Sequence, residues 1–303
     1  MSFKDSLLGL VIISIWGFNF IVIAWGVEYM PPLMMGTGRF IFVALIGSLF
    51  IKRPDIPWRW MTLYAMTLCF GQFALLFSAM SFGMPAGLAS LVLQSQALFT
   101  IVLSALLLKE KITANQIISM LFAGAGLALI GLSQQQSTMT VLGFSLTIAA
   151  AISWGLGNIV NRMINQRGYR ADLGLVVWAA WPAIIPFAMA SIYVEGIDAI
   201  THSLSIFGWQ SFAVLMYLAV GASMLGYSLW SYLLAHYPAG QVAPLTLGVP
   251  IVGLLSAMLL LDEMLNEQQF IGIALVMFGL LFNALGNKLM RFMRKTRQRH
   301  EKA

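Results

Sequence analysis

The sequence predicts an all-α integral membrane protein, with ten transmembrane helices as a five-plus-five inverted repeat and both termini cytoplasmic. Three observations carry this. Of 303 residues, 60% are hydrophobic and 9% charged, against roughly 45–50% and roughly 25% in soluble proteins. Ten stretches are long and apolar enough to cross a bilayer, which takes ~20 residues for a ~30 Å core. The basic residues fall on one side of the layout those stretches define. So few charges could not cover a soluble globule, and disorder and coiled coil fail on the same composition.

The spans run over 6–26, 32–51, 59–80, 87–108, 114–132, 141–163, 173–193, 209–235, 240–261 and 267–287. The first follows Lys4 and could be taken for a signal peptide. Its apolar run continues to Trp25 without an obvious small-residue cleavage site, so it is read as a retained helix. The runs are too long and too unalternating for barrel strands. With the N-terminus inside, the inner segments hold Lys4; Lys52, Arg53 and Arg59; Lys109 and Lys111; and Arg162, Arg167 and Arg170. The tail adds Lys288, Arg291, Arg294, Lys295, Arg297, Arg299 and Lys302, which makes 16 of the 17 basic residues. The outer loops hold none and carry Glu28, Glu195, Asp198, Asp262, Glu263 and Glu267. Basic residues collect on the cytoplasmic side of membrane proteins, so this sorting supports the helix count.

The halves repeat each other. Trp16-Gly17-Phe18-Asn19 has a counterpart in Trp154-Gly155-Leu156-Gly157-Asn158. Pro85-Ala86-Gly87 returns as Pro238-Ala239-Gly240, and Leu107-Leu108-Lys109-Glu110 as Leu260-Leu261-Asp262-Glu263. Gln116 and Gly126 keep register with Gln269 and Gly279. Five helices per half is an odd number, so the second copy enters from the opposite side. The units are 1–133 and 140–287, followed by a basic cytoplasmic tail, 288–303. Inverted repeats belong to secondary transporters that alternate access to a midplane site. The tail suits retention beside anionic lipid, with partner docking as the alternative.

Polar groups inside a membrane are costly and therefore informative. Arg39 is the one intramembrane charge, seven residues past Pro32. It can bind a substrate carboxylate, or it can be structural, snorkelling outward or bonding helix carbonyls. Asn19, Gln72, Gln94, Ser95, Gln96, Asn158 and Asn161 also lie in or near spans. Singly, each suits an interhelical hydrogen bond; together they would line a cavity for an uncharged or zwitterionic solute. Gln94 and Gln96 are two apart, so at most one points straight into that cavity. Tyr227, Trp230 and Tyr232 can supply aromatic wall, packing or interface anchors. Spans three, four, eight and nine are expected to line the path. The ninth is irregular: Pro244 and Pro250 flank Gly248, and each proline removes a donor and kinks its helix.

Several classes are disfavoured. A cation pump would want a buried acid, and a phosphate-sugar carrier several buried bases. An integral-membrane enzyme would need titratable groups clustered at one depth. Cys69 is the single cysteine, and His202, His236 and His300 are scattered. No disulfide, metal site, cofactor, Walker loop or nucleophile–base pair is expected. The net charge of +6 sits in short loops and a tail rather than in a groove, so nucleic acid is not a partner. A small molecule and the lipid bilayer are.

These words resemble the EamA family of the drug/metabolite transporter superfamily over nearly the whole chain. The resemblance rests on Trp16-Gly17-Phe18-Asn19-Phe20, Met30-Pro31-Pro32-Leu33-Met34 with Arg39-Phe40, and the run from Phe82 to Gln94. Trp154-Gly155 with Asn158, Val242-Ala243-Pro244-Leu245 and Leu260-Leu261-Asp262-Glu263 add to it. It implies export of small amino acids or derivatives, such as O-acetylserine or cysteine, across the bacterial inner membrane. A broader metabolite or drug exporter, for instance of aromatic amino acids, is the alternative within transport. A passive channel would conduct without saturating.

Overall fold

The computed structural model describes residues 1–133 and 138–300, with side chains at all of these except 239, 240 and 286–300. The basic side chains of the 288–303 tail therefore lie outside the described residues. Ten helices are long and apolar enough to cross a membrane. They are α1 (Phe3–Tyr29), α2 (Pro32–Phe50), α3 (Trp58–Ser81), α4 (Ala86–Leu108), α5 (Ala114–Leu132), α6 (Val141–Gln166), α7 (Leu173–Glu195), α8 (Trp209–His236), α9 (Ala243–Leu260) and α10 (Glu267–Leu285). A turn at Ala239–Val242 leads into α9, and a short helix at Ile197–Ser205 joins α7 to α8. Among the described residues there is no strand. The chain is a multi-pass membrane protein.

Helix starts follow local chemistry. Proline stands at or just before the start of α2, α3 and α4, where its missing donor costs nothing. Thr113, Thr140 and Asp172 cap α5, α6 and α7 by accepting from backbone N–H groups. Gly83, at φ 89, makes the tight α3–α4 turn.

Contacts between helix ends define two faces. Glu195 reaches the start of α2 and Glu263 the start of α4 on one face, called acidic here. Arg162 meets Glu110 on the opposite, basic face. Packing obeys a pseudo-twofold exchange of the halves. Helix α1 packs on α9 as α6 packs on α4, and α8 packs on α1 as α3 packs on α6. The pairs α2–α7, α4–α9 and α5–α10 lie across the axis. The α5–α10 crossing is glycine-mediated: a Cβ on Gly126 would meet the Gly272 carbonyl and Val276, and one on Gly279 would meet the Ser119 carbonyl and Ala123.

The helix irregularities are repeated too. Helices α3 and α8 each widen into a π segment, at Ala65–Gly71 and Tyr217–Leu225. Helices α4 and α9 each tighten to 3₁₀, at Leu93–Ser95 and Ala243–Leu247. In the ninth span the break falls between the two prolines that the sequence singles out. Pro244 lies in the 3₁₀ turn, and Pro250 sits in the first turn of the regular stretch Gly248–Leu260, where it has no N–H to give the Thr246 carbonyl four residues back. Helix α4 breaks at the matching place with no proline at all.

The corresponding loops match in backbone turn and cap bonds. Lys109 and Asp262 both adopt a left-handed conformation, φ 57 and φ 51. Glu110 N–H then donates to the Ser104 carbonyl at 3.4 Å, and Glu263 N–H to the Ala257 carbonyl at 3.3 Å. Reciprocal caps follow. Thr113 N–H donates to Gln116 Oε1 at 2.8 Å, and Asn266 N–H to Gln269 Oε1 at 3.1 Å.

Candidate substrate site

The sequence places one cation inside the membrane, and the structure buries it. Arg39 is 2% exposed on α2. It does not snorkel. Its Nε and Nη2 donate to Ser223 Oγ at 3.2 and 2.9 Å, and the guanidinium lies 3.9 Å from the Phe73 ring centroid. Ser223 sits in the π segment of α8 and spends its own proton on the Leu218 carbonyl at 2.8 Å. Its lone pairs are thereby turned to Arg39. Arg39 Nη1 is buried without a partner. No acid is paired with Arg39 among the described residues. Cys69 and Tyr227 lie within electrostatic reach of it.

Orphan acceptors occur in the same core. Gln72, beside Phe73 at the end of the α3 π segment, is 3% exposed and its Oε1 has no partner. Asn19 on α1 is 7% exposed and its Oδ1 has none. On α4, Gln94 is buried and the buried Ser95 hydroxyl is unpartnered, both in or beside the 3₁₀ turn. An uncompensated buried polar atom costs ~1–3 kcal/mol. The buried interior of the helices thus holds both an unsatisfied guanidinium N–H and unsatisfied amide oxygens, the donor and acceptor types that a zwitterionic solute would need.

Other sequence candidates make contacts of their own, Tyr227 while still within electrostatic reach of Arg39. Asn158 on α6 donates to Gln96 Oε1 at 2.7 Å and to Thr100 Oγ1 at 3.1 Å, so these three tie α6 to α4. Tyr227 and Trp230 flank Trp16, with ring centroids 5.3 and 5.6 Å away. Trp16 Nε1 donates to the Ala222 carbonyl at 3.0 Å, a π-segment acceptor. An apolar slot beside this cluster is lined by Ile12, Ile13, Trp16, Trp230, Leu245 and Val249. Pro244 and Gly248 lie at the α9 break next to it, and Pro250 lies one turn on. Ser223 and Phe73 touch Arg39, and Trp16 touches Tyr227 and Trp230; the sequence reading singled out none of the three as site candidates. A small polar residue in an apolar span was the available signal for Ser223.

The EamA-like transporter family matches residues 4–132 and 141–285. A "Probable amino-acid metabolite efflux pump" of Salmonella typhimurium is 45% identical over 293 residues, covering 96% of this chain and 98% of that one. The protein of the same description from Escherichia coli is 46% identical over 288 residues, with 94% and 96% covered. A protein of known crystal structure, 18% identical, superposes with TM-score 0.63 over 96% of this chain and 98% of its own, which supports the fold. With both halves matched and relatives this similar along their whole length, the chain belongs to the EamA-like transporter family.

Proposed function

We propose that this transporter exports small amino acids or their derivatives, of the O-acetylserine and cysteine kind, from the cytoplasm across the bacterial inner membrane. The two EamA-type units, 1–133 and 140–287, alternate access, with the basic face cytoplasmic. The single observation carrying this reading is Arg39: a buried guanidinium with an unpartnered N–H and no acid beside it among the described residues. The α-carboxylate of a zwitterion is its complement. Asn19 Oδ1 and Gln72 Oε1 are acceptors suited to the α-ammonium. The relatives' description as probable amino-acid metabolite efflux pumps supports the same class.

The aromatic group around Trp16, Tyr227 and Trp230 favours one second reading, export of aromatic amino acids. Competition in reconstituted liposomes separates the two. Labelled O-acetylserine entry into liposomes preloaded with cold substrate should saturate and be inhibited by cysteine more strongly than by tryptophan or phenylalanine. The reverse order would move the assignment to aromatic substrates.

A further inference from the structure

The two halves carry the same glutamate in the same loop, and the structure uses it differently. Glu263 follows the left-handed Asp262 and turns back over the start of α4. Its Oε1 accepts from Ala86 N–H at 2.6 Å and its Oε2 from Gly87 N–H at 2.9 Å. A Cβ added to Gly87 would meet this carboxylate and Ala257, so the approach is close. The bond joins one half of the repeat to the other at the acidic face. Glu110 follows the left-handed Lys109 with the same backbone geometry. By the repeat, its counterparts of Ala86 and Gly87 are Ala239 and Gly240 at the start of α9. Instead both oxygens of Glu110 go to Arg162 of α6, at 2.5 and 2.7 Å. That bond ties the end of α4 to α6.

Burial follows the same asymmetry. Residues 88–94 of α4, beneath the Glu263 contact, are all buried. Their counterparts 241–247 leading into α9 are exposed or half-buried except Val242. The two ends of the repeat thus differ in cover as they differ in the glutamate's partner. The α4 end at the acidic face is covered, and the matching α9 end at the basic face is less so.

We propose that Glu263 and Glu110 are alternating latches of the transport cycle. Glu263 holds the acidic face closed by capping α4. When the basic face closes, Glu110 leaves Arg162 and caps Ala239 and Gly240 at the start of α9, while Glu263 lets go. This rests on the reading of the chain as an alternating-access carrier, but not on its substrate. Arg162 thereby acquires a role: it occupies the second latch while the first is engaged.

The test needs no substrate. Ser90, fully buried beneath Glu263, is replaced by cysteine, and its reaction with a hydrophilic maleimide is timed in nanodiscs, where both faces meet the reagent. Native Cys69 is buried and serves as background. Glu263→Ala should speed Ser90→Cys labelling by about ten-fold or more, since it removes two hydrogen bonds to a charged group. Arg162→Gln, at the opposite face, should speed it as well by freeing Glu110, and adding Glu110→Ala should return the rate to its start. Arg162→Gln tests the proposal even where Glu263→Ala fails to fold. A rate unmoved by Arg162→Gln, or moved equally with and without Glu110, overturns it. Normal labelling responses with no amino-acid exchange would remove the substrate assignment and keep the latches.

Discussion

Arg39→Gln separates a binding group from a structural one, because the two roles predict opposite signatures. The substitution removes the bonds from Nε and Nη2 to Ser223 Oγ and the stacking on Phe73. Hydrogen bonds from a charged group are worth roughly 1.5–3 kcal/mol, and a desolvated cation–π contact about 2. Against this stands the burial of an ion with no acid partner, which costs several kcal/mol even after relaxation. The two sides are of similar size, so the substrate-free protein should keep its stability to within about 1 kcal/mol. Binding has no such offset. Loss of a charge-assisted bond to the substrate carboxylate should weaken apparent affinity roughly 10–150-fold, the equivalent of that 1.5–3 kcal/mol. The assay is thermal unfolding of the purified protein with and without the amino acid, beside KM in liposomes. Unchanged Tm alone, loss of the substrate-induced upshift and a raised KM are expected. A collapsed Tm with unchanged KM in the surviving protein would refute the reasoning and make Arg39 a structural clamp on α8.

Three further outcomes follow from contacts already described. Gly126→Val drives a side chain into the Gly272 carbonyl and Val276; overpacking of this kind costs ~1–3 kcal/mol and should cut folded yield, whereas equal yield would mean α5 and α10 can part. Asn158→Ala and Gln96→Ala should couple in a double-mutant cycle of stability by about 0.6 kcal/mol, a usual value for interhelical bonds in membranes, and additive effects would deny the bond. Burial raises the pKa of Glu263 against the pull of the Gly87 and Ala86 N–H groups. The latched state then binds a proton more readily than a released, solvated one, and acidification favours it. Ser90→Cys labelling, scaled to a cysteine at the exposed Met264, should slow from about pH 7 to about pH 5; faster labelling would contradict the sign.

The fold was legible because bilayer thickness sets a length that the apolar runs must meet, and because basic residues sort by side. The inverted repeat was legible in Leu107–Glu110 and Leu260–Glu263, which fold into matching left-handed turns. The π segments of α3 and α8 were not. No proline marks Ala65–Gly71 or Tyr217–Leu225, and such widening is set by what packs against the helix. Arg39 was visible as a lone charge, but Ser223 lies 184 residues away, a distance that only tertiary packing closes. Pro250 shows a partial limit. Its chemistry marks the place of the α9 irregularity, but not that the irregularity is a 3₁₀ turn, a form that α4 takes without any proline.

The central claim is that Arg39 holds the carboxylate of a small amino acid carried by exchange. Counterflow in proteoliposomes tests it most directly, with cold O-acetylserine or cysteine inside and the labelled compound outside, for the native protein and Arg39→Gln side by side. The account predicts saturable, trans-stimulated entry for the native protein and its loss at the same substrate concentration in a folded variant. Equal exchange by both proteins, or flux that rises linearly without trans-stimulation, would contradict it.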